Sequence, residues 1–366
     1  MNRRLFLKTA AAGATILAAP RVAMADQAAF NPSPENGWRV FEVTTRLAVQ
    51  GMQGAVRAWV PLPSVHDSAW IRPMGSLWQG NADDMDVGTD PAYGASMLIA
   101  EWRTGQSAPV LEVVSRFATR DRVVDLGRAG ATAALDKASR ALFTRPTDLL
   151  PTGGIVRTRA VEITRGARTD LEKARAIYEW VVDNTARDPR TRGCGTGDIR
   201  AMLETGNLSG KCADLNALYV GLCRAVGLPA RDVYGIRVAD SRFGYKSLGR
   251  SGDISRAQHC RAEVWLAGWG WVPADPADVR KVVLEERPGL TLQDEAVVAA
   301  RRTLFGAWEM NWLAYNCGHD LALPGARRGK VPFLMYPQAE GDAGRADSLD
   351  PDAFRYRITA RELTLA

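Results

Sequence analysis

The sequence has little cysteine, little net charge once its N-terminus is set aside, and no long apolar run. Five cysteines are too few for a disulfide scaffold, and their spacings match no zinc-binding box. No stretch after the N-terminal segment approaches the roughly 20 apolar residues of a membrane helix. The basic stretch at residues 327–330 is too short to indicate nucleic-acid binding. These absences exclude a disulfide-rich module, a membrane-embedded protein and a nucleic-acid binder.

The first 25 residues have the pattern of an export signal. Arg3 and Arg4 form a twin-arginine start, an apolar stretch follows, and residues 23–25 (AMA) match a cleavage site. This segment carries four basic residues and no acid, so its removal lowers the formal net charge from +6 to +2. We therefore expect a periplasmic protein exported by the twin-arginine route, with no stable membrane insertion after cleavage. An uncleaved N-terminal anchor is the alternative.

The chain after the signal (1–25) changes character twice. Residues 26–128 alternate apolar and polar side chains between Gly/Pro/Asp-rich turns, which predicts an N-terminal β-sandwich. Residues 129–285 carry helical patterns followed by strands, which predicts a second domain, and this domain contains Cys212, His259 and Asp275. Residues 286–366 predict a C-terminal extension with a helix near 293–304 and a terminal strand that completes one of the β layers.

Cys212 begins a predicted helix within the sequence GKCADLNALY at residues 210–219. Apolar residues at helical spacing bury one side of this helix, and Gly227 marks its end. A thiol in the first turn lies beside unpaired backbone N–H groups and the positive end of the helix dipole, which favour the thiolate. Lys211 acts in the same direction. We expect the glycines before Cys212 to let the backbone approach a substrate closely.

His259 and Asp275 lie on two neighbouring predicted strands. Period-two alternation places His259, Arg261 and Glu263 on one face of the first strand and turns Cys260 towards the apolar layer. A three-residue loop at residues 266–268 then pairs His259 directly with Asp275, so that the carboxylate meets the imidazole. The prediction depends on register, because a four-residue loop would turn Asp275 to the other face.

Cys212, His259 and Asp275 have the chemistry of a nucleophile, its base and an orienting carboxylate. These residues and their flanks, at 210–218, 225–231, 259–264 and 268–276, resemble the transglutaminase-like superfamily of papain-related thiol enzymes. Over roughly residues 150–285, the resemblance implies an α+β fold in which a helix-borne cysteine packs on an antiparallel sheet. Arg261 departs from the pattern, since relatives often have an aromatic residue there.

The resemblance implies a cysteine enzyme that transfers or hydrolyses an acyl group through a Cys212 thioester. It requires no cofactor and no metal, and the sequence has no acidic loop of calcium ligands. We expect a peptide or peptidoglycan-type amide substrate, and hydrolysis rather than cross-linking, because water is the default acyl acceptor in an open cleft. The alternative is a non-catalytic module that binds peptide or cell-wall chains through Trp269 and Trp271.

The remaining cysteines and histidines carry weaker patterns. Cys223 lies on the apolar stripe of the Cys212 helix, so burial explains it. His66 is predicted to lie in a loop. Cys317 and His319 either border the cleft or belong to a structured loop, since their spacing imposes no geometry.

Overall fold

The structure is a computed structural model and describes residues 30–49, 52–105 and 108–364. The predicted export signal at 1–25 lies outside these residues. Within the described ranges, no helix is both long and apolar enough to cross a bilayer. The helices are α1 (Lys137–Thr144), α2 (Gly154–Thr164), α3 (Asp170–Asn184), α4 (Ile199–Thr205), α5 (Cys212–Ala225), α6 (Pro276–Glu285), α7 (Glu295–Thr303) and α8 (Pro351–Phe354).

The strands form two larger antiparallel sheets, a four-stranded antiparallel sheet and short two-stranded pairs. They are β1 (Arg39–Ala48), β2 (Val56–Pro61), β3 (Ile71–Gly80), β4 (Asp84–Thr89), β5 (Ser96–Trp102), β6 (Val110–Thr119), β7 (Arg122–Val123), β8 (Ala186–Arg187), β9 (Ser209–Gly210), β10 (Ala230–Arg237), β11 (Gly252–Asp253), β12 (Gln258–Leu266), β13 (Gly270–Ala274), β14 (Ala307–Trp308), β15 (Trp312–Asn316), β16 (Gln338–Gly341), β17 (Gly344–Arg345) and β18 (Tyr356–Leu363).

The N-terminal β-sandwich is present, and the C-terminal part of the chain completes it. One sheet has the order β11-β18-β1-β6-β3 and the other has the order β17-β16-β2-β5-β4. The terminal strand β18 completes one of these β layers, as predicted, and it does so by pairing antiparallel with β1 from Val40↔Leu363 to Leu47↔Tyr356. Pairings therefore cross the predicted divisions at residues 128 and 286, while the division into domains stays a prediction.

The α+β core is confirmed as a helix on an antiparallel sheet. The sheet has the order β13-β12-β10-β15, and α5 packs on β12 and β10. Helices α2, α3 and α6 also pack against α5, so all of its residues are buried rather than only the predicted stripe. A helix enclosed on every side is expected to be apolar around most of its surface. Its position is therefore fixed by contacts on all sides.

Helix α3 shows how local sequence sets an element boundary. The Glu172 N–H donates to Thr169 Oγ1 at 3.2 Å, and the Thr169 N–H donates to Glu172 Oε2 at 2.9 Å. These two bonds form a capping box, which satisfies donors that the first helical turn leaves without intrahelical acceptors. Apolar residues at helical spacing, among them Ile177 and Val181, then bury one side of α3 against the core.

Candidate active site

The backbone places Cys212 at the first position of α5, directly after the extended residue Lys211. A residue in the first turn has no intrahelical acceptor for its N–H, so the Cys212 N–H is available to a ligand. Cys212 is only 3% exposed, but together with His259 it lines a cleft of about 520 Å³. Cys212 therefore borders the cleft although almost all of its surface is buried.

Two of the glycines before Cys212, Gly195 and Gly210, make room for a carboxylate of the protein itself, whereas Gly193 lines the cleft that contains Cys212. A close approach of this backbone to a substrate stays a prediction. Asp214 accepts hydrogen bonds from the N–H groups of Thr196 and Gly197, each at 3.0 Å, and from the Lys211 N–H at 2.9 Å. A Cβ on Gly195 would lie 1.8 Å from an Asp214 carboxylate oxygen, and one on Gly210 would lie 2.4 Å from it. Gly195 and Gly210 leave room for this carboxylate, which ties the preceding loop to the start of α5.

His259 and Asp275 meet, but the predicted register is wrong by two residues. Strand β12 pairs with β13 from Ala262↔Ala274 to Leu266↔Gly270, so the three-residue loop spans 267–269 instead of 266–268. Gly268 takes the left-handed conformation in that loop, with φ of +89°. A shift of two keeps every side chain on its predicted face. The shift explains why the contact survives although His259 and Asp275 are not directly opposed.

Asp275 follows β13 and caps α6, which corrects its predicted place within a strand. One carboxylate oxygen accepts from the Asp278 N–H at 3.0 Å and the other contacts His259 Nε2 at 2.8 Å. Pro276 at the first helical position fits this N-cap, because its missing N–H and fixed φ cost nothing there. The helix start therefore fixes the carboxylate that orients the imidazole and leaves Nδ1 as the ring nitrogen for Cys212.

Asn216 supports this arrangement from one turn after Cys212. Its Nδ2 donates to the Cys260 carbonyl at 2.8 Å and to the Asp275 carboxylate at 3.2 Å. The same side chain therefore joins α5, β12 and the start of α6. A residue four positions after the cysteine lies on the same helix face, and this spacing is the signal that could have identified it in the sequence.

A second carboxylate, Asp278, lies beside His259 and was missed by sequence reasoning. Its oxygens accept two bonds from Arg237 Nη2, at 2.5 and 2.8 Å, and one oxygen lies 3.4 Å from His259 Nε2. The Arg261 Nε lies 3.6 Å from the Asp275 carboxylate. With Cys212 as thiolate and His259 as imidazolium, the buried cluster holds three positive and three negative groups. Its charge is balanced without any further ion.

The surroundings favour the charged forms of Cys212 and His259. Hydrogen bonds from the thiols of Cys194 and Cys260, together with His259, hold the pKa of Cys212 well below its usual range despite burial. Burial lowers the pKa of His259, but the Asp278 and Asp275 carboxylates outweigh burial and leave this pKa above its ordinary value. These opposite shifts favour a thiolate and imidazolium pair.

Arg261, where the sequence departs from the pattern of relatives, is buried, and its guanidinium packs against an aromatic ring. Its Nη1 donates to the Glu309 carbonyl at 3.0 Å, and its guanidinium lies 4.7 Å from the Trp312 ring centre. Stacking on an aromatic face is a favourable environment for a guanidinium. Arg261 therefore adds positive charge beside Asp275 without opening the site to water.

His259, Asp275 and Asp278 lie near enough to one another to chelate a cation. However, Arg237 already occupies both oxygens of Asp278, and Arg261 lies beside Asp275. A metal would have to compete with two guanidinium groups and break the bond between His259 and Asp275. The residues do not fit a resident metal ion.

The other predicted residues lie away from this cleft. His66 is exposed, as expected for a loop. His319 is buried, with its Nδ1 3.0 Å from Thr147 Oγ1, so it belongs to a structured loop rather than to the cleft border. Cys223 is fully buried, and all five cysteines are free thiols.

The two tryptophans of the binding-module alternative are held by intramolecular contacts. The Trp269 indole N–H donates to the Asp125 carbonyl at 3.1 Å. The Trp271 ring packs edge-on against Phe143, at 5.2 Å between centroids, and lies 4.0 Å from the Arg231 guanidinium. Neither tryptophan lines the cleft that contains Cys212.

The fold and site define a papain-related core, with a cysteine at a helix start facing a histidine held by an acid. The family model of the transglutaminase-like superfamily matches residues 157–276. An uncharacterised protein of Haemophilus influenzae is 35% identical over 329 residues, covering 86% of this chain and 88% of that protein. The chain belongs to the transglutaminase-like superfamily, and it shares a family with the Haemophilus protein.

A solved structure supports the fold over nearly the whole chain. The structure of a candidate cysteine protease from Cytophaga hutchinsonii matches with a TM-score of 0.58, covering 90% of this chain and 92% of that chain. The two sequences are only 14% identical. The match therefore shows a shared fold that includes the sandwich as well as the core.

Proposed function

We propose that this protein is an exported thiol hydrolase that cleaves an amide bond in a peptide or peptidoglycan-type substrate. The observation that supports the proposal is the shared cleft of Cys212 and His259, with His259 Nε2 bonded to Asp275 at 2.8 Å. The depressed pKa of Cys212 and the raised pKa of His259 agree with a reactive ion pair. Cys212, His259 and Asp275 are the proposed catalytic residues.

In the proposed reaction, the Cys212 thiolate attacks the amide carbonyl, and the Cys212 N–H binds the developing oxyanion. The imidazolium of His259 donates its proton to the leaving amine as the C–N bond breaks. Water then attacks the thioester carbonyl and gives a proton to His259. The C–S bond breaks, the carboxylic acid leaves, and the Cys212 thiolate and His259 imidazolium are restored. Asp275 keeps the imidazole in the required tautomer throughout.

The first test is alkylation of Cys212 by iodoacetamide at acidic pH, followed by site-resolved mass spectrometry. At about pH 5.5 an ordinary thiol with a pKa of about 8.5 is only ~0.1% thiolate, so rapid modification there reports an activated cysteine. We expect His259→Ala to slow modification by about tenfold or more, since one pKa unit changes the thiolate population tenfold. His66→Ala, which changes an exposed histidine, is the matched control. A Cys212 that reacts no faster than a free thiol would overturn the proposal and favour a binding module.

Hydrolysis is proposed over cross-linking because an open cleft admits water as the acyl acceptor. Incubation with a glutamine-containing peptide and a fluorescent primary amine separates the two reactions. We expect release of acid product with little amine incorporation. Efficient amine incorporation would assign the protein as a transamidase with the same nucleophile.

Export by the twin-arginine route is part of the proposal and rests on the sequence of residues 1–25. Replacing Arg3 and Arg4 together with Lys is expected to keep the full-length protein in the cytoplasm. Arg21→Lys, which changes a basic residue outside the twin-arginine pair, serves as the control. Fractionation that finds the double variant processed and periplasmic would show a different route.

A further inference from the structure

The cleft that contains Cys212 is lined by far more cations than acids. Glu285 is the single acidic side chain among its lining residues. This imbalance does not follow from composition, because the chain beyond residue 25 has a formal net charge of only +2. Positive charge is therefore concentrated at this cleft. The cations that line it are Arg187, Lys211, Arg237, Lys246, Arg250, Arg256 and Lys281.

Some of these cations are neutralised by the protein itself. Arg237 pairs with Asp278, and Arg256 Nη2 lies 2.6 Å from Asp352. Arg187 and Lys281 share the single acid Glu285. Glu285 can neutralise only one of these two cations, so one positive charge remains unbalanced even beside this acid.

Three cations have no ion-pair partner in the part of the chain that the structure describes, namely Lys211, Lys246 and Arg250. The nearby Glu286 accepts from the backbone N–H groups of Lys246 and Ser247 rather than pairing with an ammonium. Lys246 and Arg250 are also exposed. Lys211 is at the start of α5 and the other two belong to the 240–256 segment, so unpaired cations come from two separate parts of the cleft wall.

We propose that the acyl donor is an acidic peptide whose carboxylates lie beside the amide that Cys212 attacks. This inference rests on the proposed function and names its substrate class. A cleft lined by one sign of charge attracts ligands of the opposite sign and raises their local concentration. Each unpaired cation about 8 Å from a bound carboxylate favours binding roughly two- to threefold in a water-like dielectric.

The first experiment compares iodoacetate, which is anionic, with neutral iodoacetamide at Cys212. We divide the rate of modification by iodoacetate by the rate of modification by iodoacetamide. At low salt we expect this rate ratio to be about tenfold higher for Cys212 than for free cysteine, because three unpaired cations would each contribute the factor given above. Salt near 1 M is expected to remove most of this preference, because it shortens the screening length to about 3 Å. The ratio also corrects for any change in the thiolate population.

The double variant Lys246→Glu/Arg250→Glu tests the cleft charges directly. It is expected to lower the rate ratio at least tenfold, because it replaces two attractive charges with two repulsive ones. The matched control is Lys137→Glu/Arg128→Glu, which alters total charge equally at exposed positions outside the cleft. An equal effect of the two double variants would overturn the assignment, since only overall charge would then matter.

A peptide panel then tests the substrate class. Otherwise matched peptides with acidic, neutral or basic residues flanking the scissile amide are digested, and kcat/KM is measured at low and high salt. We expect acidic peptides to be cleaved about tenfold faster than neutral ones at low salt, and basic ones more slowly than both. Equal cleavage of all three would reject the acidic substrate while leaving the thiol hydrolase intact. Preference for a phosphorylated peptide without preference for carboxylates would also reject it.

Discussion

Strand β12 carries two buried charged clusters on the same face, and they differ in their relation to the cleft that contains Cys212. The first contains His259 and opens to the 520 Å³ cleft with Cys212. The second is centred on Glu263, which is fully buried between Arg122 and Arg231 and bonds Arg231 Nε at 2.5 Å. Both clusters use the period-two face predicted for this strand. They differ in access and in the groups that can exchange protons.

In the Glu263 cluster, the two neighbouring guanidinium groups keep the Glu263 carboxyl ionised. Burial raises the pKa of Glu263, but Arg122 and Arg231 outweigh burial and leave this pKa below its ordinary value. Arg122 belongs to β7, which follows the strands of the sandwich, so its ion pair joins this part of the chain to the core. Near His259, by contrast, a thiol and an imidazole have pKa values shifted towards each other. Buried charge is common to both clusters, so the features that mark the candidate site are access to the cleft and groups that can exchange protons.

The largest expected effect distinguishes the two clusters by activity. Asp275→Asn should lower the turnover of a cleaved peptide by about 10⁴-fold, because an amide favours the wrong imidazole tautomer. Asn caps helices about as well as Asp, so the start of α6 should persist. The rate is measured beside thermal unfolding. A small rate loss with unchanged unfolding would remove Asp275 from the proposed catalytic set.

The Glu263 cluster should respond in stability instead. Glu263→Ala is expected to lower the free energy of unfolding by about 3–5 kcal/mol, because it leaves two guanidinium groups buried beside no carboxylate. Glu362→Ala, which removes the partner of Arg39 from an exposed ion pair, should cost less than about 1 kcal/mol. Denaturant titration measures both values. Similar costs for the two variants would contradict the proposed contrast between buried and exposed pairs.

The pH profile tests how the second acid acts on His259. Peptide hydrolysis should rise with pH as Cys212 ionises and fall as His259 loses its proton. Because Asp278 raises the pKa of His259, Asp278→Asn should move the falling limb to lower pH.

Asp278→Asn also leaves Arg237 buried without its partner, so Asp278→Asn/Arg237→Gln is the companion variant. It removes both charges and should bring the falling limb back towards its original pH, since Arg237 lowers the pKa of His259. An unmoved limb in both variants would mean that Asp278 has a structural role only.

The smallest expected effect lies outside both clusters. Thr169→Ala removes one arm of the α3 capping box at an exposed position. It should cost about 1 kcal/mol in unfolding free energy and leave the pH profile unchanged. A shifted pH profile would show that the cluster around His259 responds to any loss of stability. The pH tests with the two Asp278 variants would then be weakened.

Sequence reasoning predicted the local part of the site. The helix begins at Cys212 as predicted, and the alternation of β12 places His259 and Glu263 on one face. The contact between His259 and Asp275 was also predicted, although through a register wrong by two residues. The error came from the loop, because three-residue loops at 266–268 and at 267–269 are compatible with the same sequence pattern.

The sequence by itself determined where α5 starts and which residues of β12 share a face, because these properties depend on neighbours within a few positions. Only the tertiary structure decided the partners that come from distant segments. Arg237 meets Asp278 across 41 positions, and β18 joins β1 from the opposite end of the chain. Such pairings depend on how loops close and on which packed surfaces fit together, and no local pattern contains that information.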